Sequence, residues 1–201
     1  MIVVEEACLH HCESFRSLRR IICAEYPDRR RVEVDLMNQR ELLTTVEESW
    51  RQLDAALDGL DEAAMVEPGV VEAWSVKDLL GHVTAWDQMA LGHVERWRRG
   101  EQPPAAFSVN DYNAREAARR RDWSPATVRE EAAETRQRLR TTLAAVTDDE
   151  WTAVVGEGDR QGPLGNWIGG ALGGPTGPGT HAAEHAEHIR VWRAARERRE
   201  A

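Results

Sequence analysis

Three histidines share one face of the last helix that the sequence predicts. At about 100° per residue, His181, His185 and His188 point within roughly 60° of one another. Two histidines four residues apart on a helix can bind one metal ion from adjacent turns, and neutral imidazole is the commonest ligand for zinc, nickel, copper and iron. The spacing therefore indicates a metal site, although surface helices also carry solvated histidines at this spacing.

A third candidate ligand, His82, lies far upstream on the apolar face of another predicted helix. His82 is one to two turns past the start of its helix, and His181 and His185 are close to the start of theirs. If the two helices run parallel, the three imidazoles reach the same level. We therefore predict His82, His181 and His185 as metal ligands. Three protein ligands leave open positions on the ion, which is typical of a catalytic site.

Other residues close to these histidines have supporting or structural interpretations. Metal-bound histidines commonly need a hydrogen-bond partner, so Glu184 and His188 are candidates for orienting a ligand imidazole, and His188 also for proton transfer. Trp86, about one turn from His82, is a candidate substrate-binding residue, although tryptophans at bundle spacing more often belong to the core. His93 lies roughly 16 Å along the helix from His82, which is too far for the same ion.

The cysteines offer a weaker metal hypothesis. Cys8, Cys12 and Cys23 all lie in the first 36 residues, but the second ligand pair of a zinc ribbon is missing, so we favour no metal there. No apolar period in residues 1–36 lasts long enough to define an element. We expect this stretch to be a poorly ordered extension or a wrongly assigned start, followed by one domain over residues 37–198.

Four long amphipathic helices and no strand are predicted after residue 37. Their apolar residues recur at spacings of three and four, which is typical of bundle helices. Ser75, Ser124 and Thr180 are the predicted caps of the second, third and fourth helices. The predicted apolar positions are Leu43, Val46, Trp50, Leu53, Leu57 and Leu60 in the first helix, Leu79, His82, Val83, Trp86, Met89, His93 and Trp97 in the second, and Val128, Ala132, Thr135, Leu139, Thr142 and Val146 in the third.

The connections complete the predicted architecture. Residues 109–121 form a short charged helix of modest packing value, and residues 156–180, with ten glycines and three prolines, form a long loop without regular structure. Similar acidic turns after the first and third helices hint at two related halves. We predict an all-α, antiparallel up-down-up-down four-helix bundle with an extra short helix and a long glycine-rich loop. Alternation makes the second and fourth helices parallel.

The net charge and the hydropathy of the chain limit which kinds of partner we expect. The net charge of −9 argues against nucleic acid or an anionic membrane surface. No apolar run approaches the ~18 residues that span a bilayer, and the N-terminus lacks a secretory signal pattern. We expect a cytoplasmic protein that acts on a small molecule. The oligomeric state stays open, with a homodimer as one option.

Two stretches carry a family resemblance: W-S-V-K-D-L-L-G-H-V-T-A-W at residues 74–86, and T-H-A-A-E-H-A-E-H-I-R-V-W at residues 180–192. Both resemble the DinB/YfiT-like superfamily of four-helix bundles, and within it the ClbS/DfsB branch. In metal-binding members, one histidine of the second helix and an H-x-x-x-H pair of the fourth bind a divalent ion, usually nickel or zinc. The resemblance implies His82, His181 and His185 as those ligands.

The resemblance also implies a class of chemistry. Some metal-binding relatives are transferases or isomerases that use a low-molecular-weight thiol such as mycothiol or bacillithiol, and ClbS protects its producer against a genotoxin. Our leading hypothesis is a metal-dependent enzyme that activates a thiol or water against a small electrophile, in thiol transfer or hydrolysis of a detoxification type. The alternatives are a ClbS/DfsB-like protective binding or hydrolytic protein without metal, and a non-catalytic bundle.

Overall fold

The computed structural model describes residues 37–104, 106–174 and 177–200, so the expectations for residues 1–36 and their cysteines lie outside the described residues. Within these ranges, no helix combines the length and the apolar character needed to cross a bilayer. The helices are α1 (Gln39–Leu57), α2 (Glu62–Val66), α3 (Val76–Arg98), α4 (Val109–Arg120), α5 (Pro125–Ala144), α6 (Asp148–Thr152), α7 (Leu164–Leu172) and α8 (His181–Glu200). The strands are β1 (Pro68–Val71), β2 (Trp74–Ser75), β3 (Val154–Val155) and β4 (Gly162–Pro163), and a 3₁₀ turn covers Gly158–Arg160.

The four long helices α1, α3, α5 and α8 form a bundle around one hydrophobic core, which confirms the predicted all-α fold. Helix α1 packs mainly against α8, and α3 packs mainly against α5 and α7. Each long helix contributes a fully buried aliphatic residue, namely Leu53, Leu79, Leu139 and Ile189 at 0 % exposure. Burial of one such side chain contributes about 1.5–3 kcal/mol, so the core is the main source of stability.

Local capping sets where the long helices begin. Asn38 and Glu41 form a capping box at the start of α1, and Ser75 and Asp78 form another at the start of α3. Ser124 caps α5 by accepting from the Thr127 N–H. The caps at Ser75 and Ser124 are those that the sequence predicts, because this signal is read entirely from adjacent residues.

The buried faces of α1 and α5 are wider than the predicted rows of apolar residues. As a result, the buried residue differs from the predicted one at two positions. Leu42 of α1 is deeply buried, at 1 % exposure, whereas the predicted Leu43 is only half-buried, as is Leu60 beyond the end of α1. In α5 the buried residue is Leu143 rather than Thr142. Helix α1 contacts both α8 and α5, so a face broader than the seam of one helix pair is covered.

The glycine-rich segment is more regular than predicted. Residues 156–180 contain β4 and the nine-residue helix α7, so the prediction of a loop without regular structure is wrong. Burial of Leu164, Ile168 and Leu172 against the core outweighs the low helix propensity of glycine. A Cβ atom at Gly165 would collide with the indole of Trp151, so glycine is needed for this close approach.

Two hairpins correct the prediction that no strand is present. Strand β1 pairs antiparallel with β2, and β3 pairs antiparallel with β4. Each hairpin follows a five-residue helix, α2 or α6, and leads into a helix that packs in the core. The order of short helix, hairpin and core helix therefore occurs twice, in agreement with the predicted related halves.

Helix α4 contributes more to packing than its charged sequence predicts. Tyr112, Asn113 and Arg120 are buried. The Arg120 guanidinium pairs with Glu131 of α5, with 2.6 Å between Nε and Oε2. A Cβ atom at Gly81 would lie 2.8 Å from Arg120 Cδ, so α4 closes directly over the first turns of α3.

Candidate metal centre

The structure brings the three predicted ligands together. The Nε2 atoms of His82 and His181 are 3.1 Å apart, and those of His181 and His185 are also 3.1 Å apart. One potential ligand atom from each residue lies within 4.8 Å of the others. The three rings meet edge to face with centroid separations of 4.8 to 5.1 Å. Residues of α3 and α8 that are far apart in sequence therefore form one compact cluster.

Helix starts and one contact from α1 position these side chains. The Ser75 capping box fixes the start of α3, which places His82 in the second turn. Helix α8 begins at His181, and the Thr180 carbonyl accepts the Glu184 N–H at 3.1 Å. The N–H of Ala183 donates to Ser49 Oγ of α1 at 2.7 Å. Because this amide has no partner within its own helix, the bond fastens the first turn of α8 to α1.

The spacing of the nitrogen atoms fits a divalent ion. With Zn–N bonds of about 2.0–2.1 Å, ligand nitrogens lie roughly 2.9–3.4 Å apart in octahedral to tetrahedral geometry, and both short separations fall in that range. A neutral Nε2 carries either a proton or a lone pair, so His181 Nε2 cannot make a full hydrogen bond to both neighbours. A cation can accept all three lone pairs.

Burial keeps the three imidazoles in the form that binds metal. Loss of hydration is the largest cause that lowers the pKa of His82 and of His185 well below the ordinary value, and neighbouring imidazoles add to it. Burial alone lowers the pKa of His181 to about 4, although part of this side chain remains exposed. All three rings are therefore neutral near pH 7 and need not lose a proton before they bind a cation.

The two residues predicted to orient a ligand have different surroundings. His188 Nδ1 lies 3.3 Å from His185 Nδ1, so an Nε2-ligating His185 would donate its Nδ1 proton to His188. Glu184 lies close to the connection between α7 and α8. Its Oε2 atom would be only 2.7 Å from a Cβ atom built on Gly174. His181 Nδ1 is buried without a hydrogen-bond partner among the described residues.

Aromatic side chains surround the cluster. Trp74 lies 5.2 Å from His82 between ring centroids, and Trp86 lies 6.4 Å from His82 and 6.3 Å from His181. Both tryptophans are only partly buried. The sequence favoured the core for tryptophans at bundle spacing, with Trp86 as a candidate substrate-binding residue, and predicted nothing for Phe107, whose ring centroid lies 6.2 Å from that of Trp86. Phe107 lies outside any periodic segment, so the sequence carried no signal for it.

A buried charge network supports the α3 side of the centre. Arg120 donates to Glu131, Glu116 and Gln88, and these bonds occupy Nε and both terminal nitrogens. The guanidinium is 4 % exposed and its positive charge also lowers the pKa of His82. The sequence alone does not predict this network, because its members come from three different helices. Its bonds give Arg120 a structural role.

A small cavity adjoins His82 at this network. Its lining includes Asp78, Asn113 and Glu116, and its volume is ≈ 10 Å³, about that of a single water position. The cavity is too small for a substrate.

His93 occupies a separate environment. Its ring lies 5.3 Å from that of Trp167 on α7, and it is not one of the residues whose ligand atoms converge. Burial is the largest cause that lowers its pKa to about 4, with further contributions from Arg96 and Arg160. The structure thus keeps His93 apart from the cluster, as the spacing along the helix predicts.

Solved structures with the same fold include three with informative names. The mycothiol-dependent maleylpyruvate isomerase has a TM-score of 0.62 at 19 % identity, covering 76 % of this chain and 61 % of that chain. The colibactin self-resistance protein ClbS, solved with double-stranded DNA, has a TM-score of 0.62 at 14 % identity, covering 78 % and 95 %. DfsB, described as a sibling lethal factor precursor, has a TM-score of 0.64 at 14 % identity, covering 80 % and 97 %. At these identities the similarity shows the fold alone.

The family assignment comes from the sequence itself. A search of curated proteins gave no match. The sequence model of the DinB superfamily, in contrast, matches residues 45–173, a range that includes His82 and ends before α8. That range is more than half of the chain, and the bundle architecture agrees with it. The chain belongs to the DinB superfamily.

Proposed function

We propose that this protein is a metal-dependent enzyme in which a bound divalent ion, nickel or zinc, activates a thiol or water for attack on a small electrophile. The observation that carries the proposal is the convergence of three neutral Nε2 atoms, with neighbouring separations of 3.1 Å, at the N-terminal ends of α3 and α8. His82, His181 and His185 would hold the ion. Three protein ligands leave positions for an exchangeable ligand.

The bound ion would supply a Lewis acid that lowers the pKa of a thiol or water ligand towards neutrality. The protein would contribute the rest of the site. His188 would accept the Nδ1 proton of His185 and so fix its ligating tautomer. Trp74 and Trp86 lie against the cluster and would limit access of bulk water to it. Such exclusion strengthens electrostatic interactions within the site.

A low-molecular-weight thiol is the favoured nucleophile. Support comes from the fold shared with the mycothiol-dependent maleylpyruvate isomerase and from the softness of thiolate, which suits nickel and zinc better than water does. The partner would be a small molecule, because the net charge of −9 opposes binding to DNA. ClbS shares the fold and was solved with DNA, but the acidic balance of this chain disfavours such a partner.

A spectroscopic titration tests the proposal. Full-length protein without a histidine tag would be loaded with cobalt and titrated with mercaptoethanol. We expect thiolate-to-metal charge-transfer absorption in the wild type and in His93→Ala, which loses a buried histidine outside the cluster, and none in His181→Ala. Metal binding without a thiol-dependent band would favour activated water and hydrolysis. Absence of bound metal from the wild type would contradict the proposal and favour a ClbS-like protein without metal.

A further inference from the structure

Aromatic rings form a continuous row from the histidine cluster to the protein surface. From His181 the row passes to Trp86 at 6.3 Å and then to Phe107 at 6.2 Å, both in edge-to-face orientation. Tyr112 lies behind both rings, at 5.1 Å from Trp86 and 5.6 Å from Phe107. Phe107 ends the row with 39 % of its surface exposed. We call His181, Trp86 and Phe107 with Tyr112 behind them the aromatic wall.

The inner part of the wall is fixed in place. The Trp86 Nε1–H donates to Asn113 Oδ1 at 3.1 Å, and the Tyr112 hydroxyl donates to the Ala85 carbonyl at 2.5 Å. Tyr112 and Asn113 are buried on α4, while Trp86 belongs to α3. Packing of α4 onto α3 therefore sets the orientation of the indole. Phe107, in contrast, lies in the connection between these helices, outside any regular element.

The wall favours apolar ligand surface over hydrogen-bonding groups. The polar hydrogens of Trp86 and Tyr112 are already used within the protein, and Phe107 has none. What the wall presents to a ligand is aromatic carbon, which prefers other rings in offset or edge-to-face contact. Trp74 supplies a second indole on another side of His82, at 5.2 Å. An exposed phenylalanine that extends such a surface suits ligand contact.

We propose that the aromatic wall selects electrophiles carrying a flat aromatic ring, and that Phe107 is a specificity-determining residue. This inference rests on the proposed function, because the reaction needs a nucleophile activated at the cluster. With an aryl chloride, the thiolate sulfur bonds to the ring carbon that carries chlorine, chloride leaves with the bonding electrons, and the thiol proton passes to solvent. Phe107 would contact the ring during this step without exchanging protons or electrons.

The test compares two electrophiles in nickel-loaded, full-length protein with mercaptoethanol as the thiol. Chlorodinitrobenzene carries a ring and iodoacetamide does not. We expect Phe107→Ala to lower kcat/KM for chlorodinitrobenzene by about two- to tenfold, mainly through KM, while iodoacetamide turnover and metal content stay unchanged. Val191→Ala removes part of an exposed apolar side chain on α8 and should change neither reaction. All variants keep the same three cysteines, so alkylation of those cysteines by either electrophile contributes equally to every measured rate.

Two results would overturn the inference: an equal loss for both electrophiles in Phe107→Ala, or no loss for chlorodinitrobenzene. If the wild type turns over neither electrophile, the proposed function fails. Binding of an unreactive aromatic compound then tests the role of the aromatic wall without catalysis. Calorimetry with unreactive dinitroaniline should give weaker binding to Phe107→Ala than to wild type. Equal binding to both proteins, or no binding to wild type, would contradict the role of the wall independently of catalysis.

Discussion

Helix α3 carries two buried histidines whose surroundings differ in one respect that matters for chemistry. His82 and His93 are 7 % and 8 % exposed, and burial is the largest cause that lowers the pKa of each ring. His82 meets two further imidazoles, whereas the ring contact of His93 is with Trp167. Burial and a lowered pKa are therefore common to both ends of the helix. Convergence of ligand atoms distinguishes the candidate metal centre.

The difference arises from the elements that cover each end of α3. The first turns of α3 lie beside the start of α8, where His181 and His185 fall on adjacent turns. His93 instead faces α7, a short glycine-containing helix that presents Trp167. Each structural half has a hairpin followed by a core helix, which is α3 in one half and α7 in the other. Among the residues that the structure describes, the convergent histidines lie near the starts of α3 and α8, whereas α7 supplies none.

The largest expected effect separates the two histidines by metal content. His82→Ala should lower divalent-metal affinity by more than about 100-fold, because loss of a ligand should exceed the 10–100-fold cost of losing a ligand's hydrogen-bond partner. His93→Ala should keep full stoichiometry. Elemental analysis of untagged protein after dialysis measures both. Full metal content in His82→Ala would remove the basis for the three-ligand site.

His93 should make the stability of the protein depend on pH in the acid range. Its pKa is lowered to about 4 in the folded protein, so the unfolded chain binds more protons between pH 6.5 and 4. The contribution of His93 to stability is complete above about pH 6.5 and is lost as the pH falls through about 4. His93→Phe has no titratable group at this position. Relative to this variant, the free energy of unfolding of the wild type should fall by up to about 3 kcal/mol across this window.

Urea unfolding at pH 7 and pH 4, with chelator present throughout, measures that difference. The chelator keeps the histidine cluster in the same metal-free state in both proteins, so its titration cancels. A difference between wild type and His93→Phe that does not change with pH would show that burial of His93 has no effect on its proton affinity.

Removal of metal should destabilise only proteins with an intact cluster. At a free-metal concentration of about 100 times Kd, binding to the folded state adds about 2.7 kcal/mol of stability. Chelator should therefore lower the melting temperature of the wild type and of His93→Ala, and leave that of His185→Ala unchanged. Thermal unfolding followed by circular dichroism measures the shift. An equal shift in all three proteins would place the metal outside the cluster.

The smallest expected effect concerns the contact behind the proposed ligand His185. His188→Leu removes the atom that would accept the Nδ1 proton of an Nε2-ligating His185, and loss of such a partner typically lowers metal affinity by 10–100-fold. Because His188 is half-buried and its contact is 3.3 Å long, we expect about tenfold, at the low end of that range. Competition with a chromophoric chelator measures Kd. His188→Asn can still accept this bond and should retain more of the affinity.

The sequence predicted those features that depend on neighbouring residues or on helical period. The helix starts at Ser75 and Ser124 follow from local capping, and the three candidate ligands follow from spacing on α8 combined with the level of His82 in a parallel helix. Burial of Leu42 was not predicted, because apolar residues at spacings of three and four describe a helix face that contacts one neighbouring helix. Helix α1 contacts two neighbouring helices, so a wider face is buried. Helix α7 was missed because glycine count predicts local propensity and not burial against Trp151.

Features that depend on contacts across several helices could not be predicted in this way. The Arg120 network joins α3, α4 and α5, and each of its residues taken alone resembles an ordinary polar surface position. Phe107 belongs to a connection without periodicity, and only the fold places it beside Trp86. The candidate ligands could thus be predicted from sequence, whereas their supporting charge network and their aromatic surroundings could not.

The contact between His82 and His181 joins positions separated by 99 residues. A bound ion would therefore act as a cross-link that closes a very long loop, and such loops cost conformational entropy before their contacts form. Long-range contacts of this kind form slowly during folding. Because a site built from α3 and α8 rarely exists in the unfolded chain, the ion would bind late. It would then slow unfolding of the protein more than it speeds folding.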